Sequence, residues 1–163
     1  MSRPPRRYLI ERSRDESGQV AGIEILPFGV LVFVVGVLFL AQVWGVVEAR
    51  SSVTSASREA ARAFVETPAG FTDSQALAGA RQAGLRSMSD QGRSPERTTV
   101  AAVGPVSLRR CARVTFEVSY RVPVLNLPLL SGLLDGMVVR SRHSEIVDPL
   151  RDGLEGEAFC VNP

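Results

Sequence analysis

The chain has 163 residues, with 19 arginines, no lysine and 17 acids, for a formal charge of +2. Without lysine there is no Schiff base, no phosphate-loop lysine and no lysine isopeptide cross-link, and a single histidine, His143, rules against histidine-rich metal sites. The near-neutral balance also argues against a dedicated nucleic-acid binder, which needs a strong basic stripe, and the length allows one globular unit with a remainder.

Residues 1–22 read as a basic tail. Met1 to Ser17 carries Arg3, Arg6, Arg7, Arg12 and Arg14 against Glu11, Asp15 and Glu16. Ile25 to Val47 then runs 23 residues without a formal charge. At about 1.5 Å per residue this run exceeds a hydrocarbon core of about 30 Å, so residues 23–47 read as a transmembrane helix. Gln42 and Trp44 fit its far interface. The excess of arginine before the run and the nearly neutral flank after it, Glu48 and Arg50, place the N-terminus in the cytoplasm and the rest outside. A cleaved secretory signal is the competing reading, but its apolar core is about 7 to 15 residues long.

Gly22, Gly29 and Gly36 recur every seven residues and share one helix seam. Such a seam permits close packing of a second membrane helix, although glycine is also common in membrane helices for other reasons. Glu24, one turn from the cytoplasmic boundary, is either a helix-start acid or the partner of a positive charge on a neighbour.

Residues 48–66 hold no proline or glycine and continue the helix outside the membrane. Val53, Ala56, Ala60 and Phe64 form an apolar face, with Arg58, Glu59 and Arg62 opposite it. Anchor and extension together predict a rod of roughly 65 Å, ended by Pro68 and Gly70.

Residues 67–147 read as a small α+β domain. A T-x-x-Q capping box at Thr72 and Gln75 starts a second helix that runs to about Met88, with Leu77, Ala80, Gly84 and Met88 as its apolar stripe. Ser89 to Arg97 is a polar loop. Ala112 to Val122 alternates strictly between apolar and polar residues, the pattern of a strand with one buried face. Thr98 to Val103 and Met137 to Val147 complete an approximately three-stranded antiparallel sheet. Between them, the leucine-rich stretch Val122 to Leu134 is broken by Pro123, Pro128 and Gly132, so it covers the core or meets a partner. Residues 148–163 form an acidic tail.

Cys111 and Cys160 are the two cysteines of the chain. Both fall on the oxidising side of the membrane, where a disulfide is their natural state. No catalytic set is found: His143 stands beside Ser144 and Glu145, strand neighbours point to opposite faces, and a surface histidine is the simpler reading. No cofactor or metal motif is present. The bilayer is the first partner implied.

Three segments in order carry a family resemblance: E-S-G-Q-V-A-G-I-E-I-L-P before the apolar run, A-S-R-E-A-A-R-A at Ala56 to Ala63, and M-V-V-R-S-R-H-S-E in the last strand. The chain resembles the TadE-like proteins of tight-adherence (Flp, type IVb) pilus systems over nearly its whole length. The resemblance implies a non-enzymatic, single-pass component of a pilus assembly or secretion apparatus, either a minor pilin or pseudopilin or an assembly scaffold. Its partners would be other membrane proteins of that apparatus and a prepilin peptidase. It implies Gly18 as the residue before a peptidase cut and Glu24 as the acid that aids insertion or pairs with a neighbour's new amino group. Here Glu24 stands one place further from Gly18 than in the usual pattern. The alternative is a membrane-tethered extracytoplasmic binding or sensing domain unrelated to pili, with Val122 to Leu134 as its contact surface.

Overall fold

The computed structural model describes residues 17–123 and 136–160, with side chains from residue 25 onward. Helix α1 spans Ser17–Val65 and α2 spans Asp73–Asp90. Strands β1 (Thr98–Ala102), β2 (Arg113–Arg121) and β3 (Val138–Ile146) follow in an antiparallel sheet of order β1-β2-β3. The fold is α+β. By contacts the chain divides into two units at Leu40/Ala41.

In the first unit α1 is apolar all round from Ile25 to Leu40, and its side chains there are exposed apart from a half-buried Leu38. The helix is long and apolar enough to cross a membrane. Pro27 lies inside it; its missing N–H leaves one carbonyl of the preceding turn without a helical donor. The expected start at Ile23 is earlier, at Ser17, and the Gly18, Gly22 and Glu24 positions belong to its first turns, where side chains are not described.

The second unit, Ala41–Pro163, contains the core. Ala49, Ser52, Val53, Ala56, Ser57, Ala60, Ala61 and Phe64 are buried along one stripe of α1. Their three- and four-residue spacing is that of an amphipathic helix, and the run of alanine and serine lets the sheet approach closely. The expected face of Val53, Ala56, Ala60 and Phe64 is the centre of this wider stripe. From the sheet, Val100, Val114, Phe116, Val118, Tyr120, Val122 and Val139 meet it. Phe64 and Phe116 stack at a ring separation of 5.8 Å, within the range that favours tilted aromatic pairs.

Helix α2 closes the same layer. Thr72 caps it as expected: its hydroxyl accepts from the Gln75 N–H, and the Gln75 side chain accepts from the Thr72 N–H. Its buried stripe is Ala76, Ala80, Gly84 and Met88. Leu77, expected on that stripe, is only half-buried, because a strict four-residue step keeps Ala76 beneath the helix and turns its neighbour aside. A side chain on Gly84 would come within 3.1 Å of Val100 and 3.3 Å of Ala60, so this glycine marks where α2, β1 and α1 meet.

The strands follow the expected alternation closely, β2 reading outside-inside over its length. The polar loop expected at Ser89 to Arg97 is shorter and more structured: α2 runs on to Asp90, and Pro95–Arg97 forms a single 3-10 turn. The sheet's second face is polar and carries no helix among the described residues. Residues 124–135, most of the leucine-rich stretch, lie outside the described residues.

Candidate functional site

Four contacts fix how the sheet lies along α1 in the second unit. The Gln42 side chain donates to the Pro123 carbonyl (3.4 Å). Glu48 pairs with Arg93 (3.0 Å), whose guanidinium lies 5.8 Å from the centre of the Tyr120 ring. Ser57 Oγ donates to Ser141 Oγ (3.4 Å), opposite Val118 in the ladder, and Phe64 reaches Phe116. As α1 advances from residue 42 to 64, its contacts retreat along β2 from Pro123 to Phe116. One end of this unit therefore gathers Gln42, Trp44, Arg93 and the end of β2, and the other gathers the end of α1 and the start of β2.

The far end is tied down twice. Arg151, in the expected acidic tail, donates to the Val65 carbonyl, to that of Glu66 (2.9 Å) and to that of Thr67 (2.6 Å). It thereby satisfies carbonyls that a helix end leaves without partners. Arg110 Nε in turn donates to the Arg151 carbonyl (2.8 Å). Cys111 and Cys160 are joined in a disulfide with a Cα separation of 5.3 Å. Cys111 itself is left-handed at φ 62°, an uncommon backbone for a non-glycine residue, and its N–H donates to Val147.

The near end carries a groove of about 750 Å³ on the polar sheet face. Arg97, Arg121 and Arg140 line it with Glu96, Thr99 and Pro123. All three guanidinium side chains are exposed, and among the described residues none of the three forms an ion pair. Gly136 lets its strand pass against Arg121: a Cβ there would sit 2.9 Å from the Val122 carbonyl and 3.0 Å from the Arg121 stem. Elsewhere on this face Arg142 pairs with Glu117.

His143 lies on the helix-facing side of β3 and is half-buried, with 33% of its side chain still exposed at the surface. The neighbour argument misses its real partner, because Glu145 two residues on shares its face at 3.4 Å. No hydroxyl bonds to the His143 ring among the described residues. Nearby Arg62 pairs with Glu66 at 2.8 Å. That hydrogen bond and charge raise its pKa above the usual guanidinium value, with Glu59 and Glu145 adding to the effect. Among the described residues no group of three or more histidine, cysteine or acidic side chains is placed to hold a metal ion.

Of the sequence-derived positions, the structure joins Cys111 to Cys160 and leaves Gly29 and Gly36 open, with nothing within 4 Å of where a side chain would begin. Arg93, Arg151 and the three-arginine groove were not singled out from the sequence. Their partners lie far away in the chain, and no local spacing signals them. Comparison with protein-family models, curated proteins and solved structures finds no match.

Proposed function

We propose that this chain is a non-enzymatic, single-pass membrane component of a Tad/Flp-type pilus assembly or secretion apparatus, acting as a minor pilin or pseudopilin or as an assembly scaffold. The observation that carries the reading is α1. One unbroken helix is exposed and apolar over Ile25–Leu40 and then becomes the buried spine of a small α+β head. A helix that is apolar on every side requires lipid or like helices around it. The open Gly29 and Gly36 positions offer a seam on which another helix backbone can approach. The order of TadE-like segments along the chain supplies the apparatus. Five arginines ahead of the span support a cytoplasmic tail and a head outside, and the disulfide suits an oxidising compartment.

A photo-crosslinking residue at Val32, introduced in cells that make the apparatus, tests the assignment. Adducts with integral membrane subunits of a pilus or secretion system are expected. Adducts with lipid alone, or with proteins unrelated to such a system, overturn it. The reading also places a peptidase cut after Gly18. Intact mass of the membrane-derived chain checks this: a product beginning at Gln19 is expected, and one retaining Met1 to Gly18 removes the cut.

A further inference from the structure

We infer that the arginine groove at the near end of the head binds the acidic segment 148–160 of a second copy of this chain, so that heads associate head-to-tail. Both surfaces lie within the second unit, so the contact depends on neither the membrane nor the pilus reading above.

Arg121 pairs with Val138 in the ladder, and Arg140 stands two residues beyond Val138, so both guanidinium groups rise from the polar face of the sheet. Arg97 joins them from the turn before β1, and Glu96 is the one acid lining the groove. Charges of one sign gathered on one groove repel one another until an anion enters. Among the described residues none of the three has an ion pair. Each planar fork is therefore open to a carboxylate, to which it donates two parallel hydrogen bonds. Met137 and Val138 are exposed beside these arginines, so the fitting partner carries apolar side chains together with its acids.

The chain holds that combination at the far end of the same unit. Asp148, Asp152, Glu155 and Glu157 are exposed, with no ion pair among the described residues. Around them Arg110 and Arg151 are half-buried and donate to carbonyls. The four carboxylates outnumber Arg109 and Arg113, the exposed arginines at that end. Leu150 and Phe159, set among these acids in the sequence, are 74% and 80% exposed, more than any other large apolar side chain among the described residues. Side chains that protrude so far gain most from burial against a partner.

A molecule does not fill its own groove. Strand β2 has 9 residues, so its ends lie about 27 Å apart. The groove is at Arg121, whereas the disulfide and the bonds of Arg151 hold the acidic segment beside Cys111 and the end of α1. The acids therefore reach a groove only on a second copy. A contact between two different patches leaves each partner with one patch unused, and so repeats from copy to copy.

The test uses the full chain in detergent micelles at low salt, as an equal mixture of natural and isotopically heavy copies, with a photo-crosslinking residue in place of Val138. Peptides joining position 138 of one isotope to residues 148–160 of the other are expected. Their yield falls by about tenfold in R97Q/R121Q/R140Q or in D148N/D152N/E155Q/E157Q, the worth of about three exposed ion pairs, and falls likewise in about 0.5 M salt. The control R58Q/R81Q/R86Q, which removes exposed arginines from the helix layer, keeps the parent yield. Mixing the two variants separates a lost contact from a lost fold. With the crosslinker in the tail variant, whose groove is intact, the groove variant restores the yield; with the crosslinker in the groove variant, the yield stays low. Adducts found only within one isotope, adducts joining position 138 to position 138, or equal yields in all variants overturn the head-to-tail contact and leave the proposed function standing. In cells, adducts from position 138 with another protein in place of this chain overturn the second copy as the occupant.

Discussion

Arg151 holds the end of α1 by donating to the carbonyls of Val65, Glu66 and Thr67. Removing it leaves those carbonyls to solvent or unpaired, so Arg151→Ala should destabilise the head by about 1 to 3 kcal/mol. Thermal unfolding of the full chain in detergent checks this as a melting point lower by roughly 4 to 12 °C. The second tie at that end is covalent. The Cys111 to Cys160 bridge closes a separation of 49 residues, and the chain-entropy model assigns such a loop about 4 kcal/mol. Reduction, or Cys111→Ser, should lower the melting point by on the order of 10 °C; a transition unmoved by reductant would contradict a stabilising bridge. The two residues differed in legibility. Two cysteines leave one pairing to consider, whereas one arginine among 19 carries no mark of the helix end it will reach. His143 shows a third case: its partner was within sight in the sequence, two places on, but only the period-two geometry of the strand selects Glu145 over Ser144.

The elements were legible wherever a period or a cap specified them locally. Strand β2 announces itself by strict alternation, and α2 begins at its Thr72 capping box because both reciprocal hydrogen bonds need residues only three apart. The polar loop after α2 was less legible, since Arg93 is drawn inward by Glu48 on α1 and the Tyr120 ring on β2, both remote in sequence. Packing between elements also escaped local reading. The α2 stripe uses Ala76 in place of Leu77 because the approach to β1 and α1 at Gly84 favours small residues. Gly84→Val should therefore overpack the junction with Val100 and Ala60, costing about 1 to 3 kcal/mol beyond any change in helix propensity. Urea unfolding checks it, and a midpoint equal to or above the parent's would contradict close packing at that point.

At the scale of the whole molecule, α1 carries two kinds of surface. Ile25–Leu40 is exposed apart from a half-buried Leu38, while one stripe of α1 from Ala49 to Phe64 is buried against the sheet. An apolar surface of that extent is stable in hydrocarbon and costly in water. The length and charge of this segment were fully legible, because a helix long and apolar enough to cross a membrane is defined by composition over about 20 residues and needs no tertiary context. The arginine groove was not, because its three members come together only when β1, β2 and β3 take their register. We propose that the N-terminal tail lies in the cytoplasm and the head outside. The most direct test is the activity of alkaline phosphatase fused after Pro163 in cells, since that enzyme is active only outside the cytoplasm. The account predicts an active fusion that stays with the membrane after alkaline carbonate washing. An inactive fusion at equal abundance, or one released into the soluble fraction, would contradict an anchored chain with its head outside.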